Sequence, residues 1–282
     1  MTIDNNIKGD DIPARGNGAL SSRHQAGSKI KESLWKIISR KEGVLFIVGV
    51  IILWQAVATL SSRQFQFLFP TLPLVTEALL ESMPELLKGT YSSFLILAPG
   101  YLIAVVLGVV VGIVTATTGW LERAFMPFAK AASPVPPTIY IPYAIALMAS
   151  FRTASIFVVF IGAFWPIFLN TAAGAASVPA RYRDNARILG LTRFEYLWKI
   201  VFPASLPQSF SGMAVGLALS FILLTVAELF GANAGLGRFV QYYADYADYP
   251  KMVAGIFYMG VITFLAMGLL EWIKKRVLFW VR

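Results

Sequence analysis

The dominant pattern in the chain is a series of long apolar runs separated by shorter polar segments. A helix rises about 1.5 Å per residue, so roughly 20 apolar residues cross the hydrocarbon layer of a membrane. The runs predict six transmembrane spans: Gly43–Leu60, Tyr91–Ala116, Ala124–Ala149, Ala154–Ala176, Leu206–Phe230 and Val253–Ile273. Residues 43–276 are therefore predicted to form an all-α integral membrane domain.

Prolines modify two of these spans. The third contains SPVPPTIYIP at residues 133–142, and its prolines remove backbone donors that a continuous helix requires. Broken backbone at membrane depth is tolerated only where protein or a water-filled cavity surrounds it. The second span contains Pro99-Gly100, which predicts a kink. We expect the third span to be discontinuous.

Small residues recur at every fourth position in two spans. This spacing places them on one helix face and lets a neighbouring helix approach closely in lipid. Ordinary helix packing explains the pattern more simply than a seam along a solute pathway. The residues are Ala104, Gly108, Gly112 and Ala116 in one span, and Gly212, Gly216 and Ser220 in the other.

Composition and charge support a multi-pass membrane protein. The chain is 57% hydrophobic and 14% charged, with too little polar surface for a soluble domain of this size. Alternate connecting segments, beginning with the N-terminal one, hold 19 of the 24 Lys and Arg residues, and the others hold 5. The positive-inside rule then places both termini in the cytoplasm of a bacterial cell, with the spans in its plasma membrane. It also explains the net charge of +9 without a nucleic-acid partner.

The ends of the chain are polar. Residues 1–28 have a composition typical of disorder, and residues 29–42 predict an amphipathic helix on the inner membrane surface. Residues 277–282 are predicted to form a C-terminal tail. Ala56-Val57-Ala58 resembles a signal-peptide cleavage site, but the polar segment before the first span is too long for a signal peptide. An uncleaved span is therefore preferred.

Residue counts exclude several kinds of chemistry. The chain has no Cys and a single His, His24 in the polar N-terminal segment, so a zinc site, a thiol nucleophile or a Ser-His-Asp triad is not expected. The phosphate-binding pattern G-x-x-x-x-G-K-[ST] is absent as well. We expect no catalytic residue, no metal and no cofactor bound by this chain.

The most organised polar segment, residues 177–203, is here termed the elbow. Its first half predicts a helix over Arg181–Leu189, with Ser177 as the N-cap and Pro179 in the first turn. Gly190 follows this helix, and glycine is favoured at that position because it adopts the left-handed conformation freely.

The second half of the elbow predicts another helix. Thr192 and Glu195 have the spacing of a capping box, and Pro203 is predicted to end the helix. Four apolar residues follow helical spacing and are expected on one face: Phe194, Leu197, Trp198 and Val201.

The elbow resembles the cytoplasmic EAA signature of permease subunits of binding-protein-dependent ABC importers. That signature reads EAA, three residues, G, nine residues, I-x-L-P. Here it is matched outright by Ala186, Gly190, Ile200 and Pro203, whereas Asp184 replaces Glu, Asn185 departs from Ala and Phe202 departs from Leu. The resemblance implies a type I ABC importer permease fold with coupling helices that fit a cleft on an ATPase subunit. It assigns ATPase coupling to Asp184, Asn185, Ala186, Gly190, Ile200 and Pro203.

Two further stretches extend the resemblance over roughly residues 43–276. SPVPPTIYIP is similar to a proline-rich stretch of the nitrate, sulfonate, taurine and bicarbonate branch, although Ser133 stands where Arg is frequent. TVAELFGANAGLGRFV at residues 225–240 is similar to that branch's A-A-E segment and G-L-G turn, with Glu228, Gly235 and Gly237 matched. The branch implies cargo such as a small oxyanion, an organosulfonate or a heterocyclic vitamin precursor.

The resemblance also implies partners. These are a second copy of the chain, two cytoplasmic ATPase subunits that hold ATP and Mg²⁺, and an external substrate-binding protein.

Polar and aromatic residues inside the spans are candidates for a substrate pathway or gate: Glu228, Asn170, Trp165 and Tyr140. Glu228 is a carboxylate well inside a predicted span, so it should face protein or water. It lies on the pathway or anchors the structure, with Arg238 as a candidate partner. Asn170 and the aromatic residues also fit helix packing or membrane-interface positions.

A secondary transporter or channel is the alternative function. Such proteins carry ionisable groups within the membrane for ion coupling, and Glu228 is the candidate that this chain offers. An intramembrane enzyme is a more remote alternative because Cys and a buried His are lacking.

Overall fold

The computed structural model of the protein describes residues 45–60 and 68–280. The predicted disordered tail 1–28, the amphipathic segment 29–42 and His24 lie outside the described residues. The chain divides into two compact units, residues 1–66 and 67–282. The first unit contributes helix α1, Leu45–Leu60.

The second unit is helical throughout its regular elements. Three short connecting elements belong to it: a 3-10 turn Pro137–Tyr140, a one-turn helix Arg193–Tyr196 within the elbow, and a π-helical turn Leu197–Val201. In chain order its helices are α2 Leu72–Glu81, α3 Met83–Thr117, α4 Gly119–Ala132, α5 Ile141–Leu147, α6 Phe151–Ala176, α7 Ala180–Ile188, α8 Arg193–Tyr196, α9 Phe202–Gly231, α10 Leu236–Asp245 and α11 Tyr249–Val277.

The long apolar helices confirm the predicted all-α membrane fold. In the described part of the chain, four helices are long and apolar enough to cross a membrane: Met83–Thr117, Phe151–Ala176, Arg193–Gly231 and Tyr249–Val277. They contain the second, fourth, fifth and sixth predicted spans. The first predicted span and part of the third correspond to the shorter apolar helices Leu45–Leu60 and Pro137–Leu147.

Prolines act differently in the two spans that contain them. The third predicted span, Ala124–Ala149, is discontinuous as expected, since α4 ends at Ala132 and regular structure resumes only at Pro137. Helix α3, by contrast, continues through Pro99 to Thr117. It also begins at Met83, earlier than the predicted Tyr91, because the polar residues of its first turns conceal its start from a pattern based on hydrophobicity.

Helix α6 forms the centre of the second unit and packs between α3 and α9. The contacts occur at the predicted small residues. A Cβ added at Gly112 of α3 would lie 3.0 Å from the carbonyl oxygen of Phe168, and one at Gly212 of α9 would lie 2.7 Å from that of Pro166. The glycines therefore allow backbone to approach backbone, as close helix packing in lipid requires.

The second unit has two distinct ends. At one end, which we call the elbow end, the last turn of α6 meets the start of α9, where a Cβ at Gly174 would lie 3.0 Å from the carbonyl oxygen of Ser205. Leu278, just after α11, packs into the same core cluster as Val201 of the elbow. At the other end, the turn before α10 lies against Gly89 of α3. We call this the turn end.

Candidate functional site

The first helix of the elbow, α7, begins at Ala180 with Pro179 as its N-cap. The prediction that Ser177 caps this helix is wrong. Ser177 is instead the C-cap of α6, where its backbone N–H donates to the carbonyl oxygen of Ala173 at 3.1 Å and its hydroxyl donates to that of Gly174 at 2.7 Å. The serine satisfies carbonyl groups that the end of α6 would otherwise leave free.

Gly190 ends α7 as predicted, with a φ of +67°. The Leu191 N–H donates to the carbonyl oxygen of Ala186, and the Gly190 N–H donates to that of Arg187, each at 3.0 Å. This pair of bonds is the Schellman motif, in which a left-handed residue closes the last helical turn. Glycine reaches this conformation without the steric penalty of a side chain.

The predicted capping box at the start of α8 is also present. The Glu195 N–H donates to the Thr192 hydroxyl at 3.3 Å, and the Thr192 N–H donates to the Glu195 carboxylate at 3.0 Å. Lys199 adds a bond to the same carboxylate at 2.8 Å. The bond from Lys199 and those from Thr192 lower the pKa of Glu195 from 4.5 to about 2. Local bonds therefore define the backbone geometry of the turn between the two elbow helices.

The second elbow helix does not end at Pro203, which corrects the prediction. Chain 193–231 is one helical segment of 39 residues, because the π-helical turn joins α8 to α9 without a break. Within this turn the Phe202 N–H donates to the carbonyl oxygen of Leu197, five residues back. Pro203 lies in the first turn of α9, where the altered pattern accommodates its missing N–H.

This segment is about 58 Å long, nearly twice the hydrocarbon thickness of a membrane. Its polar first turns, including Glu195, therefore extend beyond the span. The elbow is thus a direct extension of a membrane helix.

The elbow presents apolar side chains to solvent. Within α7 only Ala186 is buried, at 3% exposure. The predicted apolar stripe is divided, since Leu197 and Val201 pack in the core whereas Phe194 and Trp198 are exposed by 74% and 60%. The π-helical turn changes the angular spacing, so the four side chains no longer share a face. Two more exposed apolar residues, Ile188 and Leu189, precede Gly190.

The other coupling residues implied by the resemblance lie on or beside this surface. Asp184 and Asn185 are exposed, and Asp184 forms an ion pair with Arg187 at 3.9 Å. Ile200 and Pro203 are half-buried at the base of the elbow. The structure therefore gathers the signature into one segment.

A side-chain bond that sequence reasoning missed joins the elbow to the α3–α4 junction. Arg193 donates to the hydroxyl of Thr118 at 2.8 Å, across 75 positions of sequence. Thr118 belongs to no motif, and Arg193 occupies an unspecified position within the capping box, so no local pattern signalled the contact.

A buried carboxylate lies at the turn end. Glu228 of α9 is fully buried, and one carboxylate oxygen accepts from Ser93 of α3 while the other accepts from the Gly237 N–H of α10, each at 2.6 Å. The Ser93 hydroxyl accepts in turn from the Leu236 N–H at 3.0 Å. These bonds connect three helices.

The turn before α10 fits closely over this carboxylate. Gly235 has a φ of +153°, and an added Cβ would overlap the Glu228 carboxylate. The three residues matched in the family resemblance, Glu228, Gly235 and Gly237, are thus brought together. The side chain of Arg238 lies over the Tyr242 ring, 5.8 Å from its centroid. The geometry favours the anchoring role of Glu228, with Ser93 and backbone N–H groups as its partners.

The remaining pathway candidates have contacts elsewhere. Asn170 donates to the carbonyl oxygen of Pro166 at 2.8 Å and lies against Gly212. Trp165 packs edge-on against Phe164 with ring centroids 5.1 Å apart. Tyr140 is half-buried at the end of the 3-10 turn. These contacts are typical of helix packing and do not join the three residues to Glu228 in one site.

Comparison with protein families identifies the class of the chain. The family described as binding-protein-dependent transport system inner membrane component matches residues 104–279, more than half of the chain. The chain belongs to this family. The predicted identification as an ABC importer permease is therefore confirmed, and we refer to the protein below as the permease.

Relatives and solved structures agree with this assignment. The permease is 32% identical over 180 residues to the nitrate import permease protein NrtB of Leptolyngbya laminosa, in an alignment that spans 64% of each chain, a little under two thirds. It is 28% identical to the bicarbonate transport system permease protein CmpB of Synechococcus elongatus, over 95% of the permease and 99% of the relative.

An inward-facing MetNI methionine ABC transporter has the same fold. The TM-score is 0.60 at 18% identity, and the match covers 70% of the permease and 98% of that chain.

Proposed function

We propose that the permease is the membrane-spanning subunit of an ATP-driven importer for a small oxyanion. Two copies would form the translocation path, two cytoplasmic ATPase subunits would bind and hydrolyse ATP with Mg²⁺, and an external binding protein would deliver the solute. The family assignment supports the importer class. The names of the relatives, which transport nitrate and bicarbonate, support the oxyanion class.

The proposed coupling to an ATPase rests on the structure of the elbow. Exposed apolar residues on its two helices form a surface suited to a protein partner. The Schellman motif and the capping box hold the two helices in a fixed relation, and the π-helical turn joins the second directly to α9. A displacement of the elbow by an ATPase would therefore move a membrane helix. Closure of two ATPases could in this way switch the path between inward- and outward-facing states.

The alternative, a secondary transporter or channel, receives less support from the interior. Within residues 45–60 and 68–280, Glu228 is the buried ionisable side chain, and it is held by Ser93 and the Gly237 N–H. A coupling ion requires a group that can exchange its partners. Solute uptake by the purified permease alone in liposomes, driven by an ion gradient, would favour this alternative.

Orientation is part of the proposal. The distribution of Lys and Arg supports a cytoplasmic location for the elbow and both termini in a bacterial cell. Because the chain lacks cysteine, a single Lys199→Cys variant provides a unique label site in the elbow. A membrane-impermeant thiol reagent should label it in inside-out vesicles and not in intact cells, and the reverse result would contradict the orientation.

Substitution of Gly190 by proline tests coupling. Proline fixes φ near −65°, whereas Gly190 has +67°, and it also removes the N–H that donates to Arg187. We expect Gly190→Pro to abolish substrate-stimulated ATP hydrolysis in the assembled transporter while membrane insertion is retained. Ala180→Pro is the matched control, because proline is tolerated at the first position of α7. Undiminished stimulation in Gly190→Pro would contradict the proposed role of the elbow.

A further inference from the structure

A cavity of about 410 Å³ lies at the turn end of the permease. It is bounded by the first turns of α3, the turn before α10 and the first two turns of α10. Its lining residues are Glu85, Lys88, Gly89, Asn233, Ala234, Gly235, Arg238, Phe239, Tyr242 and Tyr243. The orientation proposed above places this cavity on the outer side of the membrane.

Two cations line the cavity, Lys88 and Arg238. In the part of the chain that the structure describes, neither has a carboxylate within ion-pair distance. The Arg238 guanidinium lies over the Tyr242 ring, a contact that orients it and leaves its N–H groups able to donate. An unpaired lysine and arginine at one cavity produce a positive potential.

The nearest acidic groups bond to partners other than these two cations, and with the Glu85 carboxylate counted the lining keeps one net positive charge. Glu85 lines the cavity, but its carboxylate accepts from the Tyr243 hydroxyl at 2.9 Å. Partial burial, together with this carboxylate, raises the pKa of Tyr243 to about 12, so the phenol keeps its proton for that bond at physiological pH.

Two further carboxylates lie near the cavity without lining it. Glu81 is paired with Lys251 at 3.4 Å. Glu228 lies beneath the turn, where Ser93 and the Gly237 N–H bind its oxygens, and it does not line the cavity.

The available donors match the chemistry of an oxyanion. A guanidinium presents N–H groups in a planar arrangement that pairs with two oxygens of one anion, and an ammonium adds a point charge. Asn233 contributes an amide that can donate to a third oxygen. A water molecule occupies about 30 Å³ in the liquid, so the cavity has room for a small oxyanion with several waters.

We propose that this cavity is an oxyanion-binding site, with Lys88 and Arg238 as its charged ligands. Its further role, to receive the transported anion at the outer face, rests on the proposed function. The anion binding itself rests only on the cavity and its donors.

Thiol chemistry in the cavity tests the proposal, because the chain has no native cysteine. Ala234→Cys places one thiol in the lining without removing a proposed ligand. Its rates of reaction with an anionic and a cationic methanethiosulfonate reagent are measured on the full-length permease in detergent. We expect the anionic reagent to react faster. Adding Lys88→Gln or Arg238→Gln should lower the anionic-to-cationic rate ratio by roughly threefold to tenfold, as expected for one charge a few ångströms away in a partly aqueous site.

Competition then distinguishes a binding site from a general positive field. Sodium nitrate should slow modification more than sodium chloride at equal ionic strength, and Lys88→Gln or Arg238→Gln should remove that difference. Lys251→Gln removes an equal charge that is paired outside the cavity lining, so it is the matched control and should leave nitrate protection intact. Equal protection by nitrate and chloride, or loss of protection in Lys251→Gln as large as in the ligand variants, would overturn the proposal.

Because these measurements require neither ATP nor an ATPase, their outcome is independent of the coupling test. A negative result in the nitrate-protection test would contradict the outer anion site but not the proposal of ATP-driven import. Failure of the Gly190→Pro test would remove the proposed coupling and leave anion binding standing.

Discussion

The two ends of the permease combine polarity and burial in opposite ways. At the elbow end, large apolar side chains such as Phe194 and Trp198 are exposed, although the backbone that carries them is fixed by local hydrogen bonds. At the turn end, the ionisable side chain of Glu228 is fully buried, with bonds from Ser93 and Gly237 of the same chain. One end is locally ordered and leaves apolar surface uncovered. The other satisfies its buried polar group internally.

This difference separates two kinds of role. A buried polar group stabilises a fold when all its partners are present and destabilises it when one is lost. Exposed apolar groups contribute little to the stability of the isolated chain. They stabilise a complex when a partner covers them. Substitutions at the turn end should therefore reduce stability, whereas those at the elbow should mainly reduce coupling. Three substitutions test this, in decreasing order of expected effect on stability.

The largest effect is expected from Gly235→Ala. The φ of +153° lies in a region that glycine adopts and other residues avoid, which costs about 1–3 kcal/mol. The added Cβ would also overlap the Glu228 carboxylate, and overpacking costs a further 1–3 kcal/mol, roughly. We expect a marked fall in the thermal unfolding midpoint of the purified permease, measured by size-exclusion chromatography after heating.

Gly260→Ala is the control for this substitution. Gly260 lies within α11, and an added Cβ there has no atom within 4 Å. Alanine also favours a helix more than glycine does. If both variants unfolded at the same temperature as the parent, the backbone at the turn end would not be constrained by the contact between Gly235 and Glu228.

A smaller loss is expected from Ser93→Ala. The hydroxyl donates to Glu228 and accepts from the Leu236 N–H, so its removal leaves two buried groups each short of a partner. An unsatisfied buried group costs about 1–3 kcal/mol. The unfolding midpoint should fall by less than in Gly235→Ala. Ser211→Ala is the matched control, since that exposed hydroxyl bonds only to the carbonyl oxygen of Pro207 in its own helix, and its loss should change little. A control variant as unstable as Ser93→Ala would indicate a general sensitivity of the bundle.

Local patterns predicted much of this molecule. The spans follow from long apolar runs, and the end of α7 at Gly190 follows from glycine's access to positive φ. The capping box could be read from Thr192 and Glu195 because its partners lie three residues apart. Each of these features depends on neighbours in sequence.

The features that sequence did not predict depend on distant residues or on competition between neighbouring elements. Ser93 and Glu228 are 135 positions apart, and a lone serine in an apolar run carries no signal of its partner. Ser177 is a residue type that often caps the start of a helix, but here its N–H and hydroxyl donate to carbonyl groups at the end of α6. Proline often ends a helix, but the π-helical turn before Pro203 changes the hydrogen-bonding pattern, so the helix continues.

The smallest effect on stability is expected at the elbow, from Thr192→Ala. Loss of a capping hydroxyl costs about 1 kcal/mol, and here it affects α8, the first turn of the helical segment 193–231. Amide hydrogen exchange at residues 195 and 196, whose N–H groups donate to Thr192, should accelerate roughly fivefold, while the unfolding midpoint of the bundle stays unchanged. Because the pKa of Glu195 is lowered to about 2, its carboxylate supports the cap fully above its ordinary value of 4.5 and loses this effect as pH falls toward 2. Protection corrected for intrinsic exchange should therefore be equal at pH 7 and pH 5 in the parent.

Thr117→Ala, which removes a hydroxyl bonded within its own helix near the same end, should leave exchange in 193–196 unaltered. If Thr192→Ala instead lowered the unfolding midpoint as much as Ser93→Ala, the elbow would be part of the stable core, and the contrast between the two ends would not hold.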